Sequence, residues 1–112
     1  MNKQLKFVDW KVPLILSGKK KSTWRLFDDK YIKAGDIVDL IERPSLIIFA
    51  RAKIIDVWEK PFRALTHKDK QGHEEFSTDE EMYQTYSNYY QQPVGPETKV
   101  KIIKFKTLNK FK

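Results

Sequence analysis

Residues 17–27 read Ser-Gly-Lys-Lys-Lys-Ser-Thr-Trp-Arg-Leu-Phe, or SGKKKSTWRLF. Three lysines lead into a strict alternation. Ser22, Trp24 and Leu26 fall on one side, and Thr23, Arg25 and Phe27 on the other. A period of two marks a β-strand, so a strand is expected over Lys20–Phe27. Upstream, WKVPLILSG places Val12, Ile15 and Leu16 at i, i+3 and i+4, the spacing of one helix face. Pro13 is tolerated in a first turn, and Gly18 is a natural helix stop. The fold turns on this short helix, glycine stop, lysine run and strand.

Working outward, Lys3–Val8 alternates as a first strand. DDKYIKAGD is a loop with a turn at Gly35, and Ile37–Glu42 is a strand. RPS turns the chain into Leu46–Trp58, a long β-branched stretch expected to be a central strand that ends at Pro61. FRALTHKDKQGHEEF has little periodicity and is expected to form a short helical turn and a loop. STDEEMYQTYSNYY is the clearest helix. Ser77 or Thr78 can cap it, with Glu80 or Glu81 closing a capping box, and Met82, Tyr86, Tyr89 and Tyr90 share one face. Val100–Leu108 is the last strand, with Ile103 and Phe105 opposite Lys104 and Lys106. The order is β-α-β-β-β-α-β. It predicts an α+β fold, a small mixed β-barrel of about five strands with two short helices.

The 112 residues fit one domain. At 40% hydrophobic and 33% charged, the chain has a globular balance rather than a disordered one. With no cysteine there is no disulfide framework or thiolate metal site. His67 and His73 are too few for a usual zinc site, and both read as loop histidines. No stretch reads as a secretory signal, and the apolar runs are too short to span a bilayer. A cytoplasmic monomer with no metal, cofactor or membrane partner is expected. The formal charge of +7 is unevenly spread. Residues 1–27 carry seven Lys or Arg against Asp9 alone, residues 99–112 carry six lysines and no acid, and residues 66–82 are net acidic. Clustered cations attract phosphate backbones by counterion release.

LILSGKKKSTWR, IKAGDIVDL, GHEEFSTDEEM and VKIIKFKTL, in that order, resemble the ASCH domain family over about residues 6–108, with a basic C-terminal tail beyond. The most specific block is Gly-x-Lys-x-x-Thr-x-Arg, here Gly18, Lys20, Thr23 and Arg25. Gly35, Asp36, Glu74 and Phe76 follow in register. The resemblance implies a PUA-like barrel that binds RNA or nucleosides in a cleft. One bacterial branch of the family hydrolyses the acetyl amide of N4-acetylcytidine with a Lys, a Thr and a Glu, which match Lys20, Thr23 and Glu74. Glu75 is the alternative to Glu74.

In that reading Thr23 is the nucleophile and Lys20 its base, with a pKa lowered by burial and by the charges of Lys19, Lys21 and Arg25. Glu74 is the acid, or it holds the amino edge of the pyrimidine. Lys19, Lys21, Trp24, Arg25 and Phe76 are expected to contact substrate or RNA. Arg25 could instead pair with Asp36. Lys20 and Thr23 would lie on opposite faces of a strict strand, so the chemistry needs a bend near Lys21. The other reading is a non-catalytic RNA-binding module, in which lysines hold phosphates and aromatics stack bases. RNA cleavage is a weaker third reading, because Lys20 is the sole evident base for a 2′-hydroxyl.

Overall fold

A computed structural model of the protein describes residues 3–27 and 30–111. Asp28 and Asp29, the first residues of the predicted loop, lie outside the described residues. The described residues form five strands, β1 (Lys3–Val8), β2 (Ser22–Arg25), β3 (Ile37–Arg43), β4 (Ile48–Pro61) and β5 (Lys99–Lys110). The helices are α1 (Val12–Leu16), α2 (His67–Lys70) and α3 (Asp79–Tyr90), with 3-10 turns at Asp9–Lys11 and Phe62–Ala64. The strands form one sheet in the order β1-β3-β4-β5-β2. β1 runs parallel to β3, and the other pairings are antiparallel. This mixed sheet curls into a half-barrel, the α+β architecture that the pattern predicts.

The sheet is covered on both faces. One core gathers Leu5, Phe7, Leu40, Phe49 and Phe105 against Val12 and Ile15 of α1. The other gathers Trp24, Leu26, Phe62, Val100 and Ile102 against Met82 and Tyr86 of α3. β5 serves both cores by simple alternation, with Ile103 and Phe105 on one face and Val100 and Ile102 on the other. β4 serves both by a different device. Ala50, Ala52 and Ile54 face the first core, and a register shift between Ile54 and Asp56 then swaps the parity. Beyond it Val57 packs on the first core and Trp58 on the second. An extra residue in one strand does this by bending it and turning its side chains over.

Several ends differ from expectation. β2 begins at Ser22 rather than Lys20, because the Lys20 and Lys21 N–H groups are taken by the Leu14 and Gly72 carbonyls instead of a neighbouring strand. The last strand, expected over Val100–Leu108, runs from Lys99 to Lys110. Thr78 caps α3 by accepting from the Glu81 N–H. The reciprocal capping box forms at α2, between Thr66 and Asp69. Asp69 is buried and also accepts from Trp58 Nε1 (3.0 Å) and Lys60 Nζ (2.7 Å). Burial works to raise its pKa, but these donors outweigh it and bring the carboxyl to about 2. Among the described residues, no helix is long and apolar enough to cross a membrane.

Candidate functional site

The site is built where the loop after α2 docks on the start of β2. The Gly72 carbonyl accepts from both the Lys21 N–H (2.8 Å) and the Ser22 N–H (3.1 Å). Gly72 has φ +76, and a Cβ there would come within 3.1 Å of Lys21 Cβ. Only glycine meets both demands without strain. This clamp brings His73 and Glu74 beside a lysine more than fifty positions upstream. Lys20 lies before the strand, and its side chain curls back to donate to the Ser22 carbonyl (2.7 Å) and Glu74 Oε2 (2.7 Å). Lys20 and Lys21 thus precede the strand, after a turn at Ser17 and Gly18 and a bend at Lys19.

Glu74 is shared. Its Oε1 lies 3.3 Å from Lys11 Nζ, while Oε2 meets Lys20. Lys20 is 2% exposed. Burial is the main influence on it and lowers its pKa to about 8, although Glu74 pulls the other way. Burial works to raise Glu74, yet nearby cations bring it down to about 2. Of these, His73 acts only where it is protonated, so Lys20 and Lys11 hold the carboxylate at neutral pH. His73 is 2% exposed at its side chain. Its ring stacks on Trp24 at 3.9 Å and 12°. Nδ1 lies 3.0 Å from the Glu74 carbonyl, which can only accept, so Nδ1 carries the proton and Nε2 accepts from the Tyr86 hydroxyl (3.3 Å). Burial, followed by the charge of Lys20, lowers its pKa to about 3.

Beside this cluster opens a cleft of about 250 Å³. Lys6, Lys11, Arg25, Lys30 and Arg43 line it together with Thr23, His73, Tyr89 and Tyr90. No carboxylate is among its described lining residues. Thr23 accepts from Arg25 Nε (3.3 Å), and Arg25 also donates to the Lys6 carbonyl (2.9 Å). The Arg25 guanidinium lies 5.0 Å over the Phe7 ring.

Neither protein-family models nor curated proteins match the chain. Solved structures do. Protein EF3133 from Enterococcus faecalis superposes with a TM-score of 0.81 at 17% identity, over 98% of this chain and 82% of that one. The ASCH domain from Lactobacillus crispatus gives 0.65 at 13% identity, over 85% and 68%. ASCH from Zymomonas mobilis gives 0.63 at 16% identity, over 95% and 71%. The fold is that of ASCH domains.

Within this ASCH fold the predicted site residues divide. Lys20 and Glu74 meet, and Glu75 is exposed, which separates the two acids. Thr23 and Arg25 line the basic cleft, whereas Lys20 is not among its lining residues. Lys19 and Lys21 are exposed and do not line it either; Lys21 borders a separate depression with Ile15 and Phe105. Trp24 touches the cleft but is 4% exposed, with His73 stacked on its ring, so that face is closed to a base. Phe76 lines a third depression with Glu74 and Glu75. Arg25 does not pair with Asp36, whose carboxylate accepts from Lys3 Nζ and the Lys33 N–H.

Sequence reasoning missed Lys6, Lys11, Arg43 and His73. His73 is a loop residue, as expected, but its ring is part of the core. Its place next to Glu74 was the one available signal. For the cleft lysines there was none, because each looks like any other surface lysine.

Proposed function

We propose that the cleft binds RNA or a modified cytidine-like nucleoside. The observation that supports this best is the cleft's composition. Five cations converge on it without a described carboxylate, beside Thr23 and tyrosine rings. Such a lining suits a ligand that presents phosphate and an unpaired base. On this reading Arg25 and Lys11 face the anionic part of the ligand, and Thr23 offers a hydroxyl to the base.

A second reading, amide hydrolysis, is favoured by the state of Lys20. A lysine brought to about 8 lies in the range useful for general-base work near neutral pH. Thr23 Oγ1 would attack the acyl carbonyl carbon and pass its proton to neutral Lys20. The carbon–nitrogen bond would then break, with the exocyclic nitrogen taking that proton from the Lys20 ammonium. Water would release the acyl group from Thr23. Glu74, at about 2, is ionised at neutral pH and so does not fit the acid role. It suits the holding of the Lys20 ammonium and acceptance from an amino edge. Lys20 lies outside the cleft that Thr23 lines and is held by the Ser22 carbonyl and Glu74, so this reading requires it to leave the Ser22 carbonyl and swing to Thr23 before it takes the proton.

Incubation with N4-acetylcytidine, followed by chromatography, tests the second reading. Cytidine release by the wild type and none by Thr23→Ala supports hydrolysis. A short single-stranded RNA titrated against wild type and Arg25→Ala tests the first. Equal affinity for the two proteins would exclude the cleft as the binding site.

A further inference from the structure

At the mouth of the cleft, Lys11 stands between two exposed aromatic rings. Its Nζ lies 5.3 Å from the centroid of Trp10 and 5.1 Å from that of Tyr89. Trp10 is 57% exposed and Tyr89 is 43% exposed. The two rings come from distant parts of the chain, Trp10 from the 3-10 turn after β1 and Tyr89 from the last turn of α3. Lys11 and Tyr89 also line the cleft, so this lip is continuous with it. Trp10 belongs to neither core, so packing gives no account of its place at the lip.

We propose that Trp10, Lys11 and Tyr89 form a second subsite, which stacks the nucleotide next to the one held in the cleft, so that the ligand is a single-stranded oligonucleotide rather than a free nucleoside. The inference rests on the nucleic-acid reading of the cleft. Two chemical needs of a single strand are met together here. A base requires an aromatic face, and Trp10 and Tyr89 supply one that the buried Trp24 cannot. The phosphate joining two nucleotides requires a cation between them, and Lys11 lies between the rings and at the edge of the cleft. Glu74 Oε1 fixes the ammonium from behind at 3.3 Å, which limits the ordering needed on binding. Charge chooses the occupant, since an exposed aromatic pair flanking a cation, beside a cleft lined by five cations among its described residues, favours an anionic chain that carries rings.

The test compares cytidine 5′-monophosphate with a five-nucleotide oligocytidylate at fixed salt, using wild type, Trp10→Ala and Trp10→Phe. The wild type should bind the pentamer at least tenfold more tightly than the monomer. Trp10→Ala should lose about tenfold for the pentamer, the usual scale for one stacked base, and should leave the monomer unchanged. Trp10→Phe should recover much of the loss, because it restores a ring. The part of the tryptophan emission that Trp10→Phe removes should be quenched by the pentamer and not by the monomer. Pentamer binding that Trp10→Ala does not weaken overturns the subsite and leaves the cleft reading standing. Equal weakening of monomer and pentamer overturns it as well. Failure of both ligands to bind wild type removes the cleft reading and the subsite together. A change of sedimentation on Trp10→Ala without a change in RNA binding assigns the lip to self-association and also overturns the proposal.

Discussion

Glu74 carries more of the site than any other side chain, because three positive or potentially positive groups face one carboxylate. Removing it leaves Lys20 buried at 2% exposure without its counter-charge. Breaking a buried pair from one side costs roughly 3–5 kcal/mol, whereas replacing both partners with apolar groups is often neutral. Glu74→Gln should therefore unfold at markedly lower urea than wild type at pH 7. The double variant Lys20→Met with Glu74→Gln should be more stable than Glu74→Gln alone. If the double variant is the weaker, the pair is not what makes the single change costly.

Acid acts on the same residues. Folded His73 holds out against protonation until about 3, while unfolded histidine takes its proton near 6.5. Stability therefore falls as pH drops from 6.5 toward 3. The stabilisation linked to Glu74 is present above its ordinary value of 4.5 and is lost as pH falls through about 2, so both slopes have the same sign. Urea midpoints measured from pH 7 to 4 should decline in wild type. His73→Phe, which keeps a ring against Trp24, should flatten the decline between pH 6.5 and 4.5. An unaltered slope in that variant would mean that other groups govern it.

Among the strands, β2 is the shortest and the most consequential. Its four residues contribute Thr23 and Arg25 to the cleft and Trp24 to the core under α3. It gains its place from β5, against which it pairs through Ser22↔Lys104 and Arg25↔Lys101, and from the Gly72 clamp at its start. Gly72→Ala meets both a positive φ and a 3.1 Å approach to Lys21 Cβ. A loss of about 1–3 kcal/mol is expected, measured by thermal unfolding. The same change should weaken RNA binding, because His73 and Glu74 hang from this loop. A Gly72→Ala protein with unchanged melting and binding would show that the loop reaches Lys20 without the clamp.

Over the whole molecule, charge is sorted by the fold rather than by the chain. The cleft draws its cations from β1, the turn after it, β2, the following loop and β3. The equally basic C-terminal segment is β5, buried in the sheet between β4 and β2. None of its lysines lines the cleft, although Lys101 Nζ supports the Lys30 carbonyl (2.8 Å). RNA affinity should fall as salt rises, with a log–log slope near −0.7 for each phosphate neutralised. Arg25→Ala or Lys6→Ala should make that slope shallower, and Lys106→Ala should leave it as it is. A slope that responds to Lys106 and not to Arg25 would place the binding face on β5.

Much of the fold was legible in the sequence because period, turn residues and caps are local. The short helix before Gly18, the long strand ending at Pro61, the Thr78-capped helix and the final alternating strand each follow from neighbours within a few residues. Lys20, Thr23 and Arg25 were singled out by the resemblance to ASCH domains and not by period, since each by itself reads as an ordinary strand or surface residue. Tertiary structure alone decided which lysines matter, since a buried lysine and a solvated one are the same letter. It also took Trp24 out of reach of a base, drew His73 into the core, and parted Lys20 from the cleft that Thr23 lines. Each of these depends on residues far apart in the chain meeting across a curled sheet, and on the burial that follows, which periodicity does not record.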